Sequence, residues 1–314
     1  MDVSKLIEEG EKQAELVVNN SSSHLCHAIS YMKNKERVKA FNVMYAVMRI
    51  VDDIADCKQI SGKAATEEEV IIELNRWKEM VESAYKDVPI VSPLSLTFHE
   101  AIEKFPIPKR LWTNWFNSME RDIDNPYFRN FEEFKHYSLG AACVPTMIYL
   151  FLTLSIKVDG VYTLNDFDYE TAGFDLGLWA HMIHILRDAR IDIEKKLYYF
   201  PDEELHKYSL TRKSLDEFLN SKEINDNFAK FIEYYVEKAN AYYQRSIVTL
   251  ENYSKDIEKS RRFSLYIVIR IYKAIEKNIL EMKRDLFSRT IWLSRSDQKA
   301  IASTLMEELG LQIT

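Results

Sequence analysis

The sequence predicts an all-α fold. Apolar residues recur at helical spacing from end to end, only 7 Gly and 7 Pro occur among 314 residues, and Leu, Ile, Glu and Lys, which favour helices, are abundant. Apolar side chains make up 46% of the chain, enough for a substantial core. Punctuation by Gly, Pro, Asp and Asn places interhelical loops at 60–63, 87–93, 105–108, 157–165 and 200–203. No composition shift, polar linker, internal repeat or low-complexity tract divides the chain. The expectation is a single domain, 1–314, of roughly ten helices.

The N-terminal segment, MDVSKLIEEGEKQ, is acidic and amphipathic and lacks the basic and apolar regions of a signal peptide. Cys26, Cys57 and Cys143 are far apart and form no CxxC pair, which argues against a disulfide framework or zinc site and suits a reducing cytoplasm. A formal net charge of −7 opposes nucleic-acid binding. Arg261, Arg262, Lys283, Arg284, Arg289 and Arg295 make the C-terminal third locally basic, fitting either an anionic substrate or a solvated face. The uncharged run 139–156 approaches the length of a membrane span, but Pro145, Thr146 and Thr153 interrupt it. It reads as the buried central helix of a bundle, leaving no transmembrane segment.

In KAFNVMYAVMRIVDDIADC, Tyr45, Arg49, Asp52, Asp53 and Asp56 fall on one stripe of a helix. Met44, Val47, Met48, Ile50, Val51, Ile54 and Ala55 surround it, so the carboxylates are expected to project into an interior. Two carboxylates about 4 Å apart repel by about 1 kcal/mol in water and about 4 kcal/mol at an effective dielectric of 20. Arg49 offsets one charge; the rest calls for hard divalent cations such as magnesium. Alone, DDxxD is a short pattern that also arises by chance on solvated helix faces.

A second stripe changes the weight of the first. In GLWAHMIHILRDARIDIEKKLYYFP, residues His181, His184, Asp188 and Asp192 are spaced i, i+3, i+7 and i+11, with Arg187 beside them. Two helices that each present aspartates and an arginine have the donors of a diphosphate site, in which metal ions bridge carboxylates to phosphate oxygens. His181 and His184 read equally well as core histidines, and imidazole is a poor magnesium ligand, although His184 lies one turn before Asp188.

At these stripes the sequence resembles the squalene and phytoene synthase family. YAVMRIVDDIAD is similar to its first aspartate-rich motif, and ILRDARID followed by LYYFP to its second. The resemblance implies an isoprenoid synthase helical bundle around a central apolar cavity, with both stripes at its mouth. It also implies a set of about three magnesium ions held by Asp52, Asp53, Asp56, His184, Asp188 and Asp192. Ser21 and Ser23 match the N-terminal phosphate-contacting serines, Arg49 and Arg187 would bind diphosphate oxygens, and Tyr45, Asp122, Tyr272 and Arg289 fall on substrate-contact positions. Tyr137 matches the tyrosine used for proton transfer in forming a cyclopropyl intermediate.

Departures from the family pattern fall beside this chemistry. Ser22 replaces a lysine, His24 a phenylalanine, His181 a glutamine, His184 an asparagine and Leu197 an arginine; SLGAACVP stands where the family has CxxVAGxVG. Three functions stay open at this point. They are head-to-head condensation of two farnesyl or geranylgeranyl diphosphates, with NADPH use undetermined; a terpene synthase acting on one chain; and a non-catalytic prenyl-lipid-binding homologue. The C-terminal TLMEELGLQIT shows none of the anchor of eukaryotic squalene synthases, so any membrane contact is expected to be peripheral.

Overall fold

The structure, a computed structural model, describes residues 2–21, 23–60, 62–123 and 127–311, the Cys57 side chain excepted. Ser22 lies outside this set. The helices are α1 (Val3–Asn20), α2 (His24–Ile29), α3 (Lys35–Cys57), α4 (Glu67–Ser83), α5 (Pro93–Lys104), α6 (Lys109–Ile123), α7 (Phe131–Ser138), α8 (Val144–Leu154), α9 (Tyr169–Glu194), α10 (Asp202–His206), α11 (Arg212–Ser221), α12 (Asp226–Ser254), α13 (Lys259–Glu281) and α14 (Arg295–Leu309). A π-helical turn, Leu139–Cys143, joins α7 to α8, and a 3₁₀ turn, Lys283–Asp285, follows α13. The count among the described residues exceeds the ten expected because three of the helices span eight residues or fewer, too short to show periodicity.

Two predicted loops contain small antiparallel hairpins. β1 (Gln59–Ile60) pairs with β2 (Lys63–Ala64), and β3 (Ile156–Val158) with β4 (Val161–Thr163). Asp159 and Gly160 turn the second hairpin with φ of 50° and 89°. Positive φ at both residues is the conformation an Asp-Gly pair favours between two strands. The helix expected over 139–156 therefore ends at Leu154, and Ile156 opens β3.

Two compact units emerge from the packing. One comprises Met1–Ile123, Met147–Tyr169 and Asp256–Leu265; the other comprises Asp124–Thr146, Glu170–Lys255 and Tyr266–Thr314. The chain passes between them five times, so no single linker could have shown itself in composition.

In the first unit α1 packs on α3 and α5, and α3 on α4 and α6. Local signals start these helices: Asp2 caps α1, Asn34 caps α3, Thr66 and Glu69 form a capping box on α4, and Ser92 with Pro93 opens α5. Phe98, Trp112, Trp115 and Phe116 form an edge-to-face aromatic core, with ring centroids 4.9–6.1 Å apart. Buried Arg37 donates to the Leu152 carbonyl, to Ser155 Oγ at 3.0 Å and to the Ser155 carbonyl at 2.6 Å, and Arg261 Nη1 reaches the same Ser155 carbonyl at 2.7 Å. These guanidiniums satisfy two carbonyls at the C-terminal end of α8, those of Leu152 and Ser155.

α1 and α5 meet at Gly10, where a Cβ would lie 2.2 Å from both the Pro93 carbonyl oxygen and Thr97 Oγ1. Gly10→Ala is expected to destabilise the protein by about 1–2 kcal/mol, because overpacking outweighs the helix-propensity gain of alanine. Chemical denaturation reads the sign directly: a stabilised variant would show that the two helices separate freely.

The second unit is built around Phe200, Phe228, Phe231 and Tyr235, all buried. Polar links fix α9 there. Arg245 on α12 pairs in bidentate fashion with buried Asp175 at 2.9 and 2.6 Å, and Trp179 Nε1 donates to Glu276 on α13 at 3.0 Å. The apolar segment Phe131–Leu154 is long enough by composition to cross a membrane, yet 72% of its most apolar stretch is buried within the protein. Its π turn precedes Pro145, which has no N–H to continue the α-helical ladder.

Candidate functional site

The first stripe belongs to α3 in the first unit. Met44, Val47, Met48, Val51, Ile54 and Ala55 are buried on its other faces. The stripe itself is wetter than its neighbours predict: Asp52 and Asp53 side chains are 39% and 49% exposed, and Asp56 is exposed. The expected interior placement holds only in part: packing consumes the apolar faces and leaves Asp52 and Asp53 half-buried and Asp56 exposed.

Arg49 lies on the same stripe. Its guanidinium donates to Asp53, with Nε 3.0 Å from Oδ2, and lies 3.5 Å from Asp52 Oδ2. Asp52 and Asp53 share Arg49. Asp52 has its pKa pushed up to about 7, first by loss of surrounding water and then by the charge of Asp56.

Ser21, Ser23 and Tyr45 come together. Ser21 Oγ lies 2.5 Å from Tyr45 OH and accepts from the Ser23 amide at 3.2 Å; Ser23 Oγ caps α2 by accepting from the Leu25 amide. Cys26 joins this group: its thiol is raised by burial, and the three hydroxyls surround it. Its place beside Tyr45 had no sequence signal. Asp122 is half-buried at the penultimate position of α6, which packs on α3.

The second stripe runs along α9 in the second unit. Arg187 grips Asp188 through two hydrogen bonds of 2.8 and 2.6 Å. His184 Nε2 lies 2.8 Å from Asp188 Oδ2 and 3.0 Å from Arg187 Nη2. Burial pushes the Asp188 carboxyl up, and these two partners more than reverse it, holding it well below the usual carboxylate range. Asp192 follows one turn on, half-buried. Tyr272 on α13 joins this cluster: burial raises its phenol, and Arg187 and Asp188 are its charged neighbours.

Arg289 instead pairs with Asp285, four residues back, and is 59% exposed. Lys283 and Arg284 pair with Glu233 and Asp226. Three of the six basic residues of the C-terminal third, Lys283, Arg284 and Arg289, are thus paired with acids.

Tyr137, at the end of α7, is buried among the rings of Phe128, His181 and Tyr199, at centroid distances of 5.1, 5.8 and 6.1 Å. His181 Nδ1 lies 3.0 Å from Ser138 Oγ, and its ring stacks on Phe134 at 5.4 Å. Burial, with His184 as a smaller contributor, lowers the His181 pKa to about 3. Folded His181 therefore stays neutral where an unfolded histidine, with a pKa near 6.5, takes a proton. Stability should fall as the pH drops below 6.5, by about 1–2 kcal/mol at pH 5. Denaturation of the wild type and His181→Phe at pH 7 and pH 5 checks this; equal losses in both would refute it.

Among the described residues, no three His, Cys, Asp or Glu side chains converge into a ready metal cluster. The donors are strung along each helix, and Arg49 and Arg187 cover part of them. Their chemistry nevertheless fits a hard divalent cation, because the donors are carboxylate oxygens.

The site thus consists of two helical carboxylate stripes, each with its own arginine, in an all-α fold. The squalene/phytoene synthase family model matches residues 18–297, and the chain belongs to that family. It is 20% identical over 264 residues to a chloroplastic phytoene synthase of an Oncidium hybrid cultivar, covering 83% of this chain and 59% of that protein. With tomato (Solanum lycopersicum) chloroplastic phytoene synthase 1 it shares 21% over 270 residues, covering 85% and 60%. The chain thus spans about three-fifths of the length of these relatives. Among solved structures, a ligand-bound dehydrosqualene synthase superposes with a TM-score of 0.77 at 16% identity, covering 98% of this chain and 99% of that one. The squalene synthase HpnC of Alicyclobacillus acidocaldarius gives 0.67 at 14%, covering 99% and 97%. The fold is the isoprenoid synthase helical fold.

Proposed function

We propose that this chain is a head-to-head prenyl synthase that joins two prenyl diphosphates, of farnesyl or geranylgeranyl length, into a squalene- or phytoene-type product through a cyclopropyl intermediate. The observation that carries this reading is the pair of aspartate stripes, each holding an arginine, in a member of the family. Magnesium, held by Asp52, Asp53, Asp56, Asp188 and Asp192, would act as a Lewis acid on the departing diphosphate.

The chain's own residues account for the other roles. Arg49 and Arg187 exchange part of their carboxylate contacts for diphosphate oxygens, with Ser21, Ser23 and Tyr45 supplying neutral hydrogen bonds. Asp122 and Tyr272 contact substrate, Arg289 once released from Asp285, and His184 orients Asp188. The allylic C–O bond breaks with its electron pair leaving on the diphosphate. The double bond of the second prenyl chain attacks the cation, and loss of a proton beside Tyr137 closes the cyclopropane. We place the protein in the cytoplasm, with peripheral contact to membranes.

His181 and His184, both beside this chemistry, favour a second reading: a terpene synthase that cyclises or rearranges one chain. Incubation with farnesyl or geranylgeranyl diphosphate and magnesium, with and without NADPH, separates the readings by product mass. A C30 or C40 product supports condensation, a C15 or C20 hydrocarbon or alcohol supports the second reading, and no turnover at any chain length leaves a non-catalytic prenyl-lipid binder.

A further inference from the structure

Ser138 and His181 form a unit that the stripes do not explain. Ser138 Oγ is 2.8 Å from the Phe134 carbonyl, to which it donates its only hydrogen. It must therefore accept from His181 Nδ1, 3.0 Å away. A neutral imidazole that donates through Nδ1 keeps its lone pair on Nε2. The fold builds this arrangement deliberately. Ser138 is the last residue before the π turn, a feature that recurs at functional sites. One helical turn before His181, Gly177 lets α9 approach that π turn: a Cβ there would lie 2.6 Å from Cys143 Cα and 3.0 Å from the Ala142 carbonyl oxygen. Phe134 stacks on the imidazole and Tyr137 lies 5.8 Å from it, two π faces suited to a positive charge. His181 as a residue is half-buried.

We propose that His181 is a catalytic proton acceptor, its Nε2 taking the proton that the carbocation loses; this rests on the prenyl diphosphate reading above. The C–H bond breaks, its electron pair becomes the new C–C or C=C bond, and the proton bonds to Nε2. The resulting imidazolium keeps its Nδ1–H on Ser138 and passes the Nε2 proton to the released diphosphate, which restores the neutral ring. A phenol such as Tyr137 ordinarily holds its proton at neutral pH and has no comparable lone pair. The low pKa imposed on His181 by burial keeps the acceptor unprotonated, and a carbocation is acid enough to protonate it.

The test uses the full chain with a prenyl diphosphate and magnesium, counting deprotonated product and water-captured alcohol per diphosphate released. His181→Gln retains a donor for Ser138 and loses the basic nitrogen; His181→Phe loses both. In both variants the ratio of deprotonated product to alcohol is expected to fall about 100-fold. A wild-type ratio in His181→Gln overturns the proposal. If the wild type releases no diphosphate from any prenyl chain, the functional reading fails instead. In that case ¹⁵N NMR of the wild type still decides the geometry: an unprotonated Nε2 with a protonated Nδ1 supports it, and the opposite tautomer overturns it.

Discussion

Asp188→Ala is expected to lower the turnover of prenyl diphosphate at least 10³-fold while leaving KM unchanged or lower. Removing one preorganised electrostatic partner of a transition state typically costs 10²–10³, and loss of a cation ligand adds to it. The KM prediction follows from Arg187, which spends two hydrogen bonds on Asp188 and would be released toward an anionic substrate. Asp52→Asn is expected to match this loss, with an opposite effect on stability. A carboxyl whose pKa is raised by burial and by Asp56 disfavours its charged form in the fold, so the neutral amide should stabilise the protein near pH 8. Lower activity with higher stability is the signature of a residue kept for function. Initial rates and thermal melts of the two variants check both halves; near-normal turnover in either would remove the stripes from the chemistry.

Chelation of divalent cations is expected to abolish turnover, with recovery on adding magnesium. The reason lies in the balance of charge. Arg49 is already engaged with Asp53 and near Asp52, and Arg187 is engaged with Asp188. A diphosphate approaching either stripe would meet net repulsion of about 1–4 kcal/mol per close pair of charges. Turnover that persists in excess chelator would show that the arginines alone suffice, contrary to the magnesium requirement. Isothermal titration of magnesium into the wild type and Asp52→Asn gives a readout independent of catalysis.

Much of this was legible in the sequence, for identifiable reasons. The aspartates and arginines of each stripe share one helix face, and helical spacing is a local rule, so Arg49 with Asp53 and the neighbours Arg187 and Asp188 were readable as pairs. Ser21 and Tyr45, 24 residues apart, were each legible only through motif resemblance, and the meeting of their hydroxyls is supplied by the fold. The two hairpins were passed over as loops because strands of two or three residues carry no periodicity. The Asp-Gly turn at 159–160 was the one available signal. The basic C-terminal third looked like a candidate anion surface because its acidic partners, Asp226 and Glu233, lie some fifty residues away.

The sequence by itself determined the helical class, the two carboxylate stripes and the family, since each depends on residues a few positions apart or on motif order. Tertiary structure alone decided how wet the first stripe is and which tautomer His181 holds. Exposure depends on how packing uses up the other faces of α3. The tautomer depends on a hydroxyl 43 residues away whose single hydrogen is already committed to the Phe134 carbonyl. No local pattern encodes either one, because both are set by neighbours that only the folded chain supplies.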